Sequence, residues 1–132
     1  MYKKINSKNN GDILNKKKDN DRVIIIYYWN SCGHCHSLMS MLYNLLMQDQ
    51  DLIKTSNLFE VEYDNFKFLP EDLRNVSAFP SIVCINKGKK VNEFNEQRTP
   101  ENLSKFIKAN GSLKSKVKPI AKPKAKAKDK KK

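Results

Sequence analysis

The stretch DRVIIIYYWNSCGHCHSLM, residues 21–39, contains a strand, a turn and the start of a helix in immediate succession. Its apolar, β-branched and aromatic run at 23–29 predicts a strand buried on both faces, because no polar residue interrupts it. Residues 30–31, Asn and Ser, favour a turn or a helix N-cap, and leucines recur at helical intervals over residues 35–47. The sequence therefore predicts that Cys32 lies where a strand joins a helix.

Such a junction suits a reactive thiol. The free backbone N–H groups and the positive end of the helix dipole favour an anion, here the thiolate of Cys32. Cys35 follows at the Cys-x-x-Cys spacing, which indicates redox or metal chemistry. For a zinc site His34 or His36 would have to add ligands, but the sequence has no second cysteine pair, so redox chemistry is the favoured interpretation. Cys84, inside an apolar run, is predicted to pack in the core.

The segments that follow predict an α/β fold. Residues 58–63 and 81–85 read as strands, and residues 70–74 open a short helix with proline in its first turn. A hairpin turn at 86–89 leads into a further strand at 90–94, and Thr99 caps a last helix that begins at Pro100. This order implies a central mixed four-stranded sheet flanked by helices on both faces.

The net charge of +12 is concentrated at the two ends of the chain. Residues 1–21, a polar extension that includes a predicted short helix near residues 12–17, carry a net +3, and residues 114–132 carry +9. Residues 22–113 have ten basic and ten acidic side chains, so the predicted domain is neutral. The Lys-, Ala- and Pro-rich end cannot bury enough apolar surface to fold, so we expect a disordered tail over residues 114–132.

Three separated segments together resemble the thioredoxin superfamily, most closely the catalytic domains of protein disulfide isomerases. They are residues 27–35 (YYWNSCGHC), residues 76–82 (VSAFPSI), and Gly88 with residues 98–103 (RTPENL). A lone Cys-x-x-Cys would be weak support, whereas the three segments in this order are specific. The resemblance spans roughly residues 20–110 and implies the thioredoxin fold.

The resemblance also implies roles for the residues around the cysteine pair. Cys32 would attack a substrate disulfide and Cys35 would resolve the mixed disulfide, with Gly33 and His34 between them and His34 stabilising the thiolate. Phe79 and Pro80 would form the substrate edge. Pro80, in a cis peptide bond, would leave the preceding backbone free to pair with an extended peptide and would keep metals off the thiols.

The sequence departs from the family pattern at several positions near this site. The family's buried carboxylate, six residues before the first cysteine, is replaced by Ile26, and the usual tryptophan before that cysteine by Ser31. We hypothesise that Glu60 or Glu62, on the neighbouring strand, has taken over proton transfer to and from the resolving thiol. Arg98 lies where disulfide isomerases carry an arginine that lowers the pKa of that thiol.

These observations predict a thiol-disulfide oxidoreductase that carries out disulfide exchange, oxidation or isomerisation on protein substrates without a cofactor. Its expected partners are protein thiols and disulfides and a recycling partner, either a redox protein or glutathione. An alternative is a noncatalytic module that its basic tail tethers to nucleic acid or to acidic partners, with binding that weakens steeply in salt. A metal-binding domain is a third interpretation.

The location of the protein is predicted from its N-terminus and its hydropathy. Residues 1–12 are followed by no apolar core of a signal peptide, and no run approaches the length of a membrane span. We therefore expect a cytoplasmic protein without a membrane partner, or a virion protein if the chain is of viral origin. An isomerase-like motif in a reducing cytosol suits a dedicated disulfide-forming pathway there, such as that of large cytoplasmic DNA viruses.

Overall fold

A mixed five-stranded sheet forms the centre of the computed structural model, which describes residues 1–8, 10–12 and 22–110. Its strands are arranged in the order β1-β3-β2-β4-β5. Strands β1, β3 and β2 are mutually parallel, β4 runs antiparallel to β2, and β5 runs antiparallel to β4. They comprise β1 (Tyr2–Lys4), β2 (Arg22–Tyr28), β3 (Leu58–Glu62), β4 (Ser81–Asn86) and β5 (Lys89–Glu93).

The two faces of the sheet are covered by different elements. Helix α1 (Gly33–Gln48) and helix α3 (Pro100–Asn110) pack on one face, and the short helix α2 (Asp51–Lys54) follows α1. The other face packs against the 3-10 segments Tyr63–Phe68 and Glu71–Leu73 and the loops beside them. The predicted α/β fold with helices on both sides of a mixed sheet is therefore confirmed.

The prediction of four strands is wrong by one strand. Residues Tyr2–Lys4, part of the predicted polar extension, pair with β3, and the backbone N–H of Ile5 donates to the Glu60 carbonyl at 2.8 Å. Ile5 is fully buried against the second face. Three residues, two of them lysines, are too short for a visible alternation, so sequence alone did not reveal this edge strand. The predicted tail and all but the first residue of the predicted short helix lie outside the described residues.

The local predictions around the site agree closely with the structure. Residues 23–28 of β2 are all buried, and the strand ends just before Trp29, which is exposed. Positive φ angles at Lys87 and Gly88 form the predicted hairpin turn, which needs such angles at both central residues. The Thr99 hydroxyl accepts the backbone N–H of Asn102 at 3.1 Å and so caps α3 as predicted. In the described part of the chain, no helix has both the length and the apolar character that a membrane span requires.

Candidate active site

Cys32 is the N-cap residue of α1 and occupies the predicted strand–helix junction. A turn from Trp29 to Cys32, closed by a 2.9 Å hydrogen bond from the Cys32 backbone N–H to the Trp29 carbonyl, connects β2 to this helix. The Cys32 side chain is half-buried and its thiol is free. Cys32 is therefore only partly accessible to solvent.

The electrostatic surroundings of Cys32 favour its thiolate. Its pKa is lowered chiefly by a hydrogen bond from the Cys35 side chain, and further by the backbone N–H groups of Cys35 and His34 and by the charge of Arg98. These backbone groups belong to the first turn of α1, whose unpaired N–H groups point at the sulfur. The helix start thus acts on Cys32 as the sequence predicts.

Cys35 lies one turn deeper in α1 and is buried. Burial chiefly, together with its hydrogen bond to Cys32, raises the pKa of its thiol to about 11. The backbone N–H of Trp29, 3.5 Å from the Cys35 sulfur, and the charge of Arg98 act in the opposite direction. The pKa values of the two thiols are therefore shifted in opposite directions, and Cys32 is the more acidic of the pair.

Gly33 and His34, the two residues between the cysteines, are both exposed. A Cβ added at Gly33 would meet no atom within 4 Å, so the packing does not require glycine there. His34 acts on the Cys32 sulfur through its backbone N–H. Its exposed imidazole leaves the predicted role in stabilising the thiolate to be tested.

Phe79 and Pro80 lie directly beside Cys32, and the peptide bond between them is cis. The Phe79 carbonyl oxygen is 3.8 Å from the Cys32 sulfur. The Phe79 ring packs against Trp29, Tyr63 and Phe66, with centroid separations of 5.7 to 6.2 Å. We call these four rings the aromatic surface. Trp29 and Tyr63 in it are exposed, so an apolar surface adjoins Cys32.

A groove of about 590 Å³ lies on the other side of Pro80. Its lining includes Leu38, Phe94 and Arg98. Arg98 is exposed and its charge lowers the pKa of both Cys32 and Cys35, so the structure brings it towards the cysteine pair.

Glu60 is buried on the α1 side of β3, in register with Ile26 of β2. Its carboxylate accepts hydrogen bonds from the hydroxyls of Tyr28 at 3.1 Å, of Tyr43 at 3.0 Å, and of Tyr2. We call these three residues the tyrosine cage. Burial raises the pKa of Glu60 to about 7. A carboxyl group that titrates near neutrality therefore occupies the strand beside Ile26.

A cavity of about 220 Å³ lies beside Cys35 and two residues of the tyrosine cage. Tyr28, Tyr43 and Cys35 all line it, and it is large enough to hold water. Cys35 and two tyrosines whose hydroxyls bond to Glu60 therefore line one common space.

Glu62, the other predicted glutamate, has a different environment. It is buried, and its two carboxylate oxygens accept the backbone N–H groups of Asn30 at 2.9 Å and of Asp64 at 2.7 Å. It therefore contacts the turn before Cys32 rather than the tyrosine cage. His36, predicted to be a solvated helix residue, is exposed, but its Nε2 is 2.6 Å from the Asn30 carbonyl oxygen.

The tyrosine cage and most of the aromatic surface were missed at the sequence level. Trp29 was expected to be buried with its strand, and the tyrosines carried no motif. One usable signal was present: Tyr28 and Glu60 both lie on predicted strands, and a parallel pairing of these strands would bring polar groups together inside the core. Among the described residues, no three or more His, Cys, Asp or Glu side chains are arranged to hold a metal ion.

Comparisons with known proteins agree with this fold. Human ERp44 in its zinc-bound form superposes with a TM-score of 0.63 at 17% identity, over 83% of this chain and 31% of that one. The J-Trx1 fragment of ERdj5 superposes with a TM-score of 0.63 at 17% identity, over 82% of this chain and 50% of the fragment. Trxlp from Edwardsiella tarda gives 0.61 at 19% identity, over 81% of this chain and 98% of that one.

The chain thus spans about a third of ERp44 and half of the ERdj5 fragment, but nearly all of Trxlp. No curated protein sequence matches it significantly. The sequence model of the thioredoxin family matches residues 2–109, which includes β1, the cysteine pair and the cis-proline. Together with the fold, this match shows that the chain belongs to the thioredoxin family.

Proposed function

We propose that the protein is a thiol-disulfide oxidoreductase that acts on protein substrates, with Cys32 as the nucleophile and Cys35 as the resolving thiol. The observation that carries this proposal is the asymmetry of the pair. One half-buried sulfur with a lowered pKa adjoins the Phe79 carbonyl, and a second, buried sulfur with a raised pKa lies one helical turn behind it. Thiol-disulfide exchange needs this combination of an ionised attacker and a protected second thiol.

The reaction balances in two steps. The Cys32 thiolate attacks one sulfur of a substrate disulfide, which forms a mixed disulfide and releases the other substrate sulfur as a thiolate. Cys35 then loses its proton and attacks the Cys32 sulfur, which forms the Cys32–Cys35 disulfide and releases the second substrate thiolate. The substrate is reduced and the pair is oxidised. Run in reverse, the oxidised pair introduces a disulfide into a dithiol substrate.

The resolving step requires a base, because Cys35 has a pKa of about 11. We assign the base to Glu60, through the cavity that Cys35 shares with Tyr28 and Tyr43. A base is most effective when its pKa lies near the working pH, and the pKa of Glu60 is about 7. Arg98 assists by favouring the Cys35 thiolate.

The direction of electron flow follows from the same electrostatics. Interactions that stabilise the Cys32 thiolate stabilise the reduced pair and make its disulfide a stronger oxidant. The lowered pKa of Cys32, with His34 as a further stabilising group, thus supports an oxidase or isomerase of the protein disulfide isomerase type. Glutathione or a redox protein would return the pair to its starting state.

The surroundings of Pro80 support an extended polypeptide as the substrate. Backbone before a cis-proline offers hydrogen-bonding groups to a peptide laid along it. The aromatic surface adjoins this edge through Phe79 and offers exposed rings to apolar side chains near the substrate cysteines. Such side chains are accessible in unfolded proteins and buried in folded ones.

Two assays with matched variants test the proposal. The full chain should accelerate insulin reduction by dithiothreitol and the refolding of scrambled ribonuclease, and Cys32→Ser should abolish both activities. Cys35→Ser should accumulate a mixed disulfide with the substrate, visible as a covalent adduct that a reductant releases. Cys84→Ser serves as the control, because Cys84 is buried far along β4 and should not affect either activity.

A chain that is inactive in both assays while its thiols remain free would contradict the proposal. If such a chain also bound DNA at low salt, the noncatalytic tethered module would be the better interpretation. Equilibration of the active protein with glutathione buffers would then give its reduction potential. A potential near that of thioredoxin rather than that of disulfide isomerases would reject the oxidase or isomerase assignment.

A further inference from the structure

The turn that carries Cys32 is held from both sides by side chains of other elements. On one side, Glu62 of β3 accepts the Asn30 backbone N–H at 2.9 Å. On the other side, His36 of α1 lies with its Nε2 at 2.6 Å from the Asn30 carbonyl oxygen and donates to it. Both peptide groups that flank the Asn30 Cα are therefore tied down.

The turn has little other support. Asn30 and Ser31 are exposed, and the apolar packing of the turn is limited to the ring contacts of Trp29 with Tyr63 and Phe79. The turn's own hydrogen bond, from the Cys32 N–H to the Trp29 carbonyl, closes it but does not fix its orientation relative to the helix. Side-chain bonds from a strand and a helix do fix it.

Glu62 is itself rigidly held. It is buried, and its second oxygen accepts the Asp64 N–H at 2.7 Å, which caps the 3-10 segment Tyr63–Phe68. One carboxylate thus connects the turn before Cys32 to the segment that supplies two rings of the aromatic surface. His36 adds the connection to the helix that carries Cys35.

We propose that Glu62 and His36 are positioning residues that clamp the Asn30 peptide groups and thereby hold the Cys32 sulfur at the start of α1. The inference rests on the proposed function, in which Cys32 is the nucleophile. The two glutamates then have different roles: Glu60 transfers a proton, whereas Glu62 holds the backbone of the turn before Cys32. The clamp matters chemically because the N–H groups of Cys35 and His34 act on the sulfur only while the turn keeps it close to them.

The test measures the pH dependence of Cys32 alkylation by iodoacetamide in the full chain. Loss of the clamp in His36→Ala should raise the pKa of Cys32 and slow alkylation at pH 7 about fivefold, which corresponds to ~1 kcal/mol. His36→Gln should recover most of this loss, because its amide N–H can donate to the same carbonyl. Since glutamine is uncharged, recovery assigns the effect to the hydrogen bond rather than to imidazolium charge.

Two further variants complete the design. Ser37→Ala, exposed on the same helical turn, is the matched control and should leave the alkylation profile unchanged. Glu62→Ala should raise the pKa of Cys32 like His36→Ala, and the double variant should lose less than the product of the two single effects, because both bonds hold one turn. If Glu62→Ala does not fold, the His36 series alone decides.

An unchanged pKa of Cys32 in His36→Ala, or His36→Gln behaving like alanine, would overturn the clamp. Alkylation needs no disulfide substrate, so this outcome is independent of the insulin and ribonuclease assays. A shifted pKa in an enzyme without exchange activity would keep the clamp and reject the proposed function. Full exchange activity with no shift in the pKa of Cys32 would reject the clamp and keep the proposed function.

Discussion

The two faces of strand β3 carry different kinds of side chain. Phe59 and Val61 point into the core on the second face of the sheet, where they pack among apolar and aromatic side chains and are fully buried. Glu60 and Glu62 alternate with them and point towards α1, the face that also holds Cys35. One strand therefore supplies packing on one side and polar groups for the site on the other. On the α1 side, the core thus contains ionisable groups, which the proposed chemistry needs, in place of apolar side chains.

The largest effect is expected on the apolar face. Phe59→Ala removes the largest fully buried side chain and should lower the free energy of unfolding by about 3–5 kcal/mol. Because Phe59 lies on the face away from Cys35, the pKa of Cys32 should be unchanged in the folded fraction. Urea denaturation and iodoacetamide alkylation measure the two quantities. A shift in the pKa of Cys32 at full folding would show that the two faces are not independent.

Glu60→Gln should have the next largest effect, on rate rather than on folding. Loss of the base should slow resolution of a preformed Cys32 mixed disulfide about 100-fold above pH 7. The variant should also lose the rise in rate that the wild type shows as Glu60 ionises near pH 7. Single-turnover measurements across pH provide the test. If neither Glu60→Gln nor Glu62→Gln changes the pH profile, neither glutamate transfers the proton.

Glu60→Gln should also change how the free energy of unfolding depends on pH. The pKa of Glu60 is raised on folding, so the native state binds more protons than the unfolded state between about pH 4.5 and 7. Stability of the wild type should therefore fall as the pH rises through this window and level off above it. In Glu60→Gln this contribution disappears, and urea denaturation at pH 5 and pH 8 should show a smaller difference.

Sequence and structure agree where neighbouring residues decide the geometry. The strand, the turn and the helix start around Cys32 lie within 19 consecutive residues, so their alternation, turn residues and leucine spacing determine the local structure. The hairpin at Lys87 and Gly88 and the Thr99 cap are equally local. These features can be predicted because few distant contacts compete with them.

The tyrosine cage could not be predicted in this way. Its members come from β1, β2 and α1, and they meet Glu60 only because β1 and β2 lie on either side of β3 in a parallel register. Tyr2 and Glu60 are 58 residues apart in the chain. The bond from the Asn30 N–H to Glu62, 32 residues away, likewise depends on tertiary positions. Long-range strand order, which propensities do not encode, decides both arrangements.

Tyr43→Phe alters the tyrosine cage without removing the carboxyl group of Glu60. Tyr43 donates to both Glu60 oxygens, and hydrogen bonds to the ionised form favour ionisation. Loss of this hydrogen-bond donor should destabilise the ionised carboxylate by about 1 kcal/mol. The midpoint of the pH dependence of mixed-disulfide resolution should therefore move to higher pH. A carboxyl carbon NMR titration measures the same change. Tyr63→Phe, in the aromatic surface, is the control and should leave this midpoint where it is.

The smallest effect is expected at Arg98, which acts on the cysteine pair by charge from an exposed position. Arg98→Met keeps much of the side-chain volume and removes the charge, so the pKa values of both Cys32 and Cys35 should rise. Resolution at pH 7 should slow only about twofold to fivefold, the range expected for an exposed charge, and the difference should shrink in high salt.

A salt-independent loss would indicate that Arg98 contacts the substrate in the groove beside Pro80 rather than acting through space. A peptide disulfide and a small aromatic disulfide distinguish these two roles. A through-space charge effect would slow both substrates equally, whereas a substrate contact would slow the peptide alone. The first outcome would show that Arg98 acts as an exposed charge that favours the Cys35 thiolate, in addition to the base that we assign to Glu60 on β3.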